Sequence, residues 1–133
     1  MLDTSVIVAL LRSDSAPAAG HLAQLDAEME LLLSSIVAAE VEEGLHLASD
    51  ARRQRRIYAT IVNALTSHEF GFDAAATFGR IRAGLRKRGE LIGIADELIA
   101  AHALALGAEV ATLNVADFRR VPGLKVRDWS VAA

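Results

Sequence analysis

The stretch "GAEVATLNVADF", Gly107 to Phe118, decides the reading of the chain. Gly107 is the residue type that stops a helix, and the preceding segment, Ala95 to Leu106, reads as one. Glu109 to Leu113, "EVATL", is short, apolar and β-branched, as a buried strand is. The strand then ends in polar side chains, Asn114 and Asp117. A helix, a stop, a strand and polar residues at its carboxyl end form the unit from which open parallel sheets are built.

The same grammar recurs outward from this stretch. Residues 1–3 are a short apolar strand ending in Asp3, and "TSVIVALLR" continues as a helix with Ile7, Leu10 and Leu11 at helical spacing. Ala16 to Glu28 is expected to be helical, with Pro17 tolerated in its first turn. "ELLLSS" reads as a buried strand, Ile36 to Ala48 as a helix with Val37, Val41 and Leu45 on one stripe, and Asp50 to Leu65 as another helix. His68 to Phe72 is expected to be a strand. Asp73 is the expected N-cap of a helix ending near Arg88, with Gly89 as its stop and Gly93 as a second break. Val121, Pro122 and Gly123 make a turn, and "LKVRDW" alternates as an edge strand does. Strands alternating with helices predict one domain over residues 1–133, an α/β sandwich around a mostly parallel sheet.

Composition agrees. The chain is 53% hydrophobic with only four Phe, one Tyr and one Trp among 133 residues, which predicts a helix-rich interior of aliphatic side chains. No cysteine occurs, which excludes disulfides and thiolate metal sites. No apolar run reaches the roughly 20 residues needed to cross a bilayer, so no membrane is expected and the cytoplasm is the expected location. The formal net charge of −3 argues against a polyanionic partner, but nine of the 14 basic residues fall into two clusters: Arg52, Arg53, Arg55 and Arg56, and Arg80, Arg82, Arg86, Lys87 and Arg88. Two solvated helix faces are the favoured explanation of them before any other clue.

In an open parallel sheet the site lies beyond the carboxyl ends of the strands. That rule selects Asp3 after the first strand, Glu40 on the helix after "LLLSS", Asp96 opening "IADELIAAHAL", and Asn114 and Asp117 after "EVATL". Asp3 and Asp96 have local explanations as helix caps, and Asn114 and Asp117 as turn formers. Four segments delivering carboxylates to one rim is another matter, because crowded like charges raise one another's pKa unless a cation neutralises them. All-oxygen ligands select hard ions, Mg²⁺ or Mn²⁺. His21, His46, His68 and His102 lack zinc spacing, and His102 reads as a surface or core-edge residue.

With "MLDTSV", "SSIVAAEVEEG", "LIGIADELIAAHAL" and "VATLNVADFRRVPGLKVRDW" in this order, the chain resembles the PIN-domain ribonucleases, and within them the VapC-type toxins of bacterial toxin–antitoxin pairs. The resemblance implies a PIN-like three-layer α/β/α sandwich. It makes Asp3, Glu40 and Asp96 catalytic metal ligands, with Asn114 and Asp117 competing for the fourth position, and Asp117 counted among the catalytic acids. Thr4, Ser5 and Thr112 become the polar companions that orient the ligands. The implied reaction is Mg²⁺- or Mn²⁺-assisted hydrolysis of RNA, leaving a 5′-phosphate and a 3′-hydroxyl. The Arg80, Arg82, Arg86, Lys87 and Arg88 cluster and the Arg52 to Arg56 cluster become candidate RNA grips, the first preferred. A homodimer and a small cognate antitoxin protein are implied as well.

Two other readings compete. A receiver-like regulatory domain would hold Mg²⁺ beside a phosphorylated Asp, but it calls for a late Lys at a strand end, and Lys125 is poorly placed for that. A catalytically inactive PIN-like interaction module is favoured only by Asn114, which removes one negative charge from the site.

Overall fold

Leu2 joins the two halves of the sheet. In the computed structural model, which describes residues 1–133, Leu2 donates its N–H to Leu32 O (3.1 Å) on one side and forms a parallel bridge with Ala111 on the other. The bridge is completed by Ala111 N–H to Met1 O (2.9 Å) and Asp3 N–H to Ala111 O (3.0 Å). On the Leu32 side, β1 (Leu32–Ser34) pairs in parallel with β2 (Thr66–His68). On the Ala111 side, β3 (Val110–Thr112) pairs in parallel with β4 (Val126–Asp128). The spatial order is therefore β4, β3, the N-terminal segment, β1, β2. The expected parallel α/β sheet is present, with "LKVRDW" at an edge as its alternation predicts.

Helices fill the crossovers. They are α1 (Thr4–Arg12), α2 (Ala16–Ala23), α3 (Ser35–Leu47), α4 (Ala51–Ala64), α5 (Phe72–Arg88), α6 (Ile94–Ala105) and the one-turn α7 (Val115–Phe118). The stripe Val37, Val41, Leu45 is buried, because positions four apart stack on one helix face. It joins Leu2, Val6, Ile7, Leu85, Ile99, Val110 and Phe118 in a continuous apolar core. Side chains of this size contribute about 1.5–3 kcal/mol each when fully buried. No helix is long and apolar enough to cross a membrane.

Several expected boundaries move, each for a local reason. The second helix stops at Ala23 rather than Glu28; just beyond it the Asp26 carboxylate accepts the Glu28 N–H (3.2 Å), closing a turn that competes with helix. The third strand is Thr66–His68 rather than His68–Phe72, since register with β1 uses Thr66 to His68 and the Ser35 hydroxyl takes the Phe70 N–H (3.0 Å). Gly71, not Asp73, stands at the N-cap of α5, and Asp73 lies in its first turn. The polar run after β3 is a short helix, α7.

His102 departs from its expected place at the surface or core edge. It is buried, with Nδ1 2.8 Å from the Ser34 hydroxyl and its ring edge-on to Phe70. Burial holds its pKa below the usual histidine range, and the charge of His68 pushes the same way. The Ser34 hydroxyl thus meets the His102 ring while its oxygen caps α3 through the Ile36 N–H (3.0 Å).

Candidate active site

Asp3 ends the N-terminal segment and caps α1, and its carboxylate is fully engaged. One oxygen accepts the Thr4 N–H (2.7 Å), and the other accepts the Ser5 (2.7 Å) and Thr112 (2.8 Å) hydroxyls. Asp3 is thus a helix cap, as its local explanation expected, and a helix start at a strand end places its carboxylate at the rim. Thr4 carries the next link, donating its hydroxyl to Glu40 Oε1 (2.7 Å) from α1 across to α3. Thr112, last residue of β3, holds Asp3 and also accepts the Asn114 N–H (2.8 Å). Ser5 Oγ accepts the Leu113 N–H (3.1 Å).

Asn114 sits between the remaining acids. Its Nδ2 donates to Asp117 Oδ2 (3.0 Å) and to Asp96 Oδ2 (3.3 Å). That orientation of the amide is the one two carboxylates impose, since its oxygen would face two negative charges. Four chain segments therefore contribute to one cluster: the N-terminus of α1, the middle of α3, the start of α6 and the β3–α7 turn. Its electrostatics show the crowding. The Asp96 carboxyl is pushed up to about 6, first by burial, then by the charges of Asp3, Glu40 and Asp117, with the Asn114 bond opposing.

The donors suit a hard divalent ion, being carboxylates and an amide with no sulfur or imidazole among them. Three of them do not close on one point as a finished coordination shell. The carboxylates instead hold protein donors, and the Asp96 and Asp117 side chains must rotate to share an ion. The fit is one of charge and donor type: neutralising Asp96, Asp3, Glu40 and Asp117 relieves the repulsion that raises Asp96. The acids line none of the three main recesses, the largest of which, about 350 Å³, lies between α1, α3 and α4. An open acidic rim suits a large substrate better than a small enclosed one.

Thr112→Val tests the polar scaffold. It removes the hydroxyl that serves both Asp3 and the Asn114 N–H, leaving buried groups unpaired, and is expected to lower stability by about 1–3 kcal/mol in chemical denaturation. Unchanged stability would refute the scaffold role.

The basic residues divide. Arg80, Arg86, Lys87 and Arg88 are exposed. Arg82 turns inward and pairs with Glu97 of α6, whose side chain is wholly buried. In the other cluster Arg53 bonds Asp50 and Leu11 O, and Arg55 pairs with Glu42. Glu97 escaped the sequence reading, although a signal exists. The "IADELIAAHAL" helix is apolar on nearly every face, so an acid within it has nowhere exposed to go. The double donation by Asn114 has no sequence signal, because it depends on where α6 brings Asp96.

The profile of the family described as "PIN domain" matches residues 1–124. The protein named Ribonuclease VapC1 of Haemophilus influenzae is 32% identical, with 98% of this chain and 97% of the relative covered. The tRNA(fMet)-specific endonuclease VapC of Salmonella typhimurium is 31% identical over 74% of this chain and 75% of its own. Among solved structures, the Rickettsia felis VapBC2 complex bound to a DNA fragment from their promoter superposes with a TM-score of 0.89 at 28% identity, covering 97% of both chains.

Proposed function

The chain belongs to the PIN-domain family, among the VapC ribonucleases of toxin–antitoxin pairs, and on that premise we propose that its acidic rim is the centre of a Mg²⁺- or Mn²⁺-dependent endoribonuclease. It is the toxin of such a pair, and its protein partner is a small antitoxin, as in the VapBC complexes it resembles. The carrying observation is the convergence of acids from separate segments: Thr4 and Thr112 link Glu40 and Asp3 to the rim, and Asn114 bridges Asp96 to Asp117. Ribonucleases match along nearly the whole chain, which favours this reading over the receiver-like alternative.

Asp3, Glu40, Asp96 and Asp117 would hold the ion, with Asn114 beside them. When bound, it supplies positive charge at the scissile phosphate and acidifies the attacking water. The chain's own residues do the rest. Thr4, Ser5 and Thr112 fix the rotamers of Glu40 and Asp3 through the bonds given above. Asn114 keeps Asp96 and Asp117 close enough to act on one centre. The cations of the Arg80, Arg86, Lys87 and Arg88 cluster attract the phosphate backbone that the acids repel, while Arg82 is committed to Glu97. Assembly as a homodimer belongs to the same reading.

Two relatives are named tRNA(fMet)-specific endonucleases, so tRNA(fMet) is the first RNA to test. Cleavage by purified protein is expected in Mg²⁺ or Mn²⁺, none in EDTA, and at least about a hundredfold less with Asp3→Asn. Asp3→Asn can keep the α1 cap through its Oδ1, but its Nδ2 replaces the oxygen that takes the Ser5 and Thr112 hydroxyls, so the variant is expected to lose about 1–3 kcal/mol of stability and is assayed at a temperature where both chains are folded. Full cleavage by Asp3→Asn, or in EDTA, would overturn the metal-site reading.

A further inference from the structure

The Arg82–Glu97 pair fixes how α5 and α6 lie together, and the consequence concerns charge. The two helices form a hairpin joined by residues 89–93, with position 82 opposite 97. Position 83 is then level with Asp96 along the hairpin, and Arg86, Lys87 and Arg88 lie about 4.5–7.5 Å further along the helix axis, on the same end as the acids. Arg80 lies about 9 Å further back along the helix axis than Arg86, at 1.5 Å per residue.

Arg120 meets that end from another part of the chain. Arg119 and Arg120 directly follow α7, two and three positions after Asp117, and both are exposed. Arg88 Nη2 donates to Arg120 O (3.3 Å), and Arg120 Nη1 donates to Leu91 O (3.4 Å). The end of α5, the loop leading to Asp96 and the turn following Asp117 are thereby tied together. Arg86, Lys87, Arg119 and Arg120 form no ion pair, and Arg88 makes only a long exposed contact with Glu90 (3.4 Å).

We propose that Arg86, Lys87, Arg88, Arg119 and Arg120 form a composite ledge that binds the RNA backbone and delivers it to the acids. This rests on the ribonuclease reading and adds to it two arginines and a direction of approach. Placement at a helix C-terminus explains the three α5 cations as partners of the helix dipole, but it does not explain Arg120, tied to both α5 and the loop before α6; its neighbour Arg119 lies near the charge of Asp128. A polyanion that must come close to carboxylates needs an adjoining positive surface.

The test measures binding of a short fluorescein-labelled single-stranded RNA across a KCl series at constant MgCl₂, on an Asp96→Asn background that leaves the probe intact. Arg86→Gln, Lys87→Gln and Arg119→Gln together are expected to weaken binding about ten- to a hundredfold. They should flatten the salt slope by about 2, at roughly 0.7 for each phosphate no longer neutralised. Arg119→Gln alone is expected to flatten it by about 0.7. Arg52→Gln with Arg56→Gln, which removes charge from α4, is expected to change affinity by less than about twofold. A triple variant that binds like its parent, or a control that weakens binding equally, overturns the ledge. The ribonuclease reading fails separately: a chain with Asp96 restored that binds RNA through these cations yet never cuts it refutes catalysis and leaves the ledge standing.

Discussion

Asp96→Asn is expected to lower RNA cleavage at least about a hundredfold and, at neutral pH, to make the chain more stable rather than less. The two effects share a cause. In the folded chain the Asp96 carboxyl ionises near 6, against 3.8 ordinarily, because burial and the charges of Asp3, Glu40 and Asp117 all disfavour the anion. Between those pH values the folded chain keeps a proton that the unfolded chain has released. Stability contributed by this group is therefore greatest below about pH 4 and falls as pH rises to 6. Fully felt, such a displacement is worth roughly 3 kcal/mol; with the side chain half exposed, solvent screening leaves about 1 kcal/mol. An uncharged Asn removes that penalty, raising the melting temperature at pH 7 by about 3–5 °C. Thermal denaturation at pH 4 and pH 7, without divalent ions, should show the gap between variant and parent opening as pH rises. A variant less stable than its parent at pH 7 would contradict the crowding of the four acids. The same melts with MgCl₂ should stabilise the parent and not the variant, since only a chain that binds the ion gains from it.

Arg82→Ala carries the second large effect, and it separates a structural role from an RNA-binding one. Glu97 is wholly buried, and its Oε2 has no hydrogen-bond partner, so Arg82 is the one group offsetting its charge. Breaking a buried pair by removing one partner costs about 3–5 kcal/mol, because the other charge is left uncompensated. A loss of that size is expected in urea denaturation. Removing both charges together, Arg82→Ala with Glu97→Leu, should recover most of it. Should Arg82→Ala keep full stability while losing RNA affinity, the pair would be incidental and Arg82 would rejoin the ledge.

The elements were legible wherever one residue's local preference agreed with its burial. Val37, Val41 and Leu45 predicted their helix face because a 3.6-residue period leaves no other way to bury them. Gly89 predicted the end of α5, and it adopts the left-handed conformation there (φ 65°). "LKVRDW" predicted an edge strand by alternation. Legibility failed where the partner lay far away in sequence. The start of β2 is set by register with β1, whose residues lie about thirty positions earlier. The burial of His102 depends on Ser34 and Phe70, neither of which marks it in the sequence.

The candidate site divides along the same line. Sequence by itself determined that strands end in Asp3, in the Ser34–Glu40 segment and in Asn114 and Asp117, because apolar runs and polar stops follow from each segment's own composition. Tertiary structure alone decided that Asn114 bridges Asp96 to Asp117, that Thr4 holds Glu40, that Arg82 faces inward, and that Arg120 meets the end of α5. Apart from the local Asn114–Asp117 bond, those relations are distances between groups 15 to 36 residues apart, fixed only once the parallel sheet aligns its strand ends and the α5–α6 hairpin sets its register. Local preference acts through neighbouring dihedral angles and side-chain periodicity, whereas Coulomb and hydrogen-bond energies act through space.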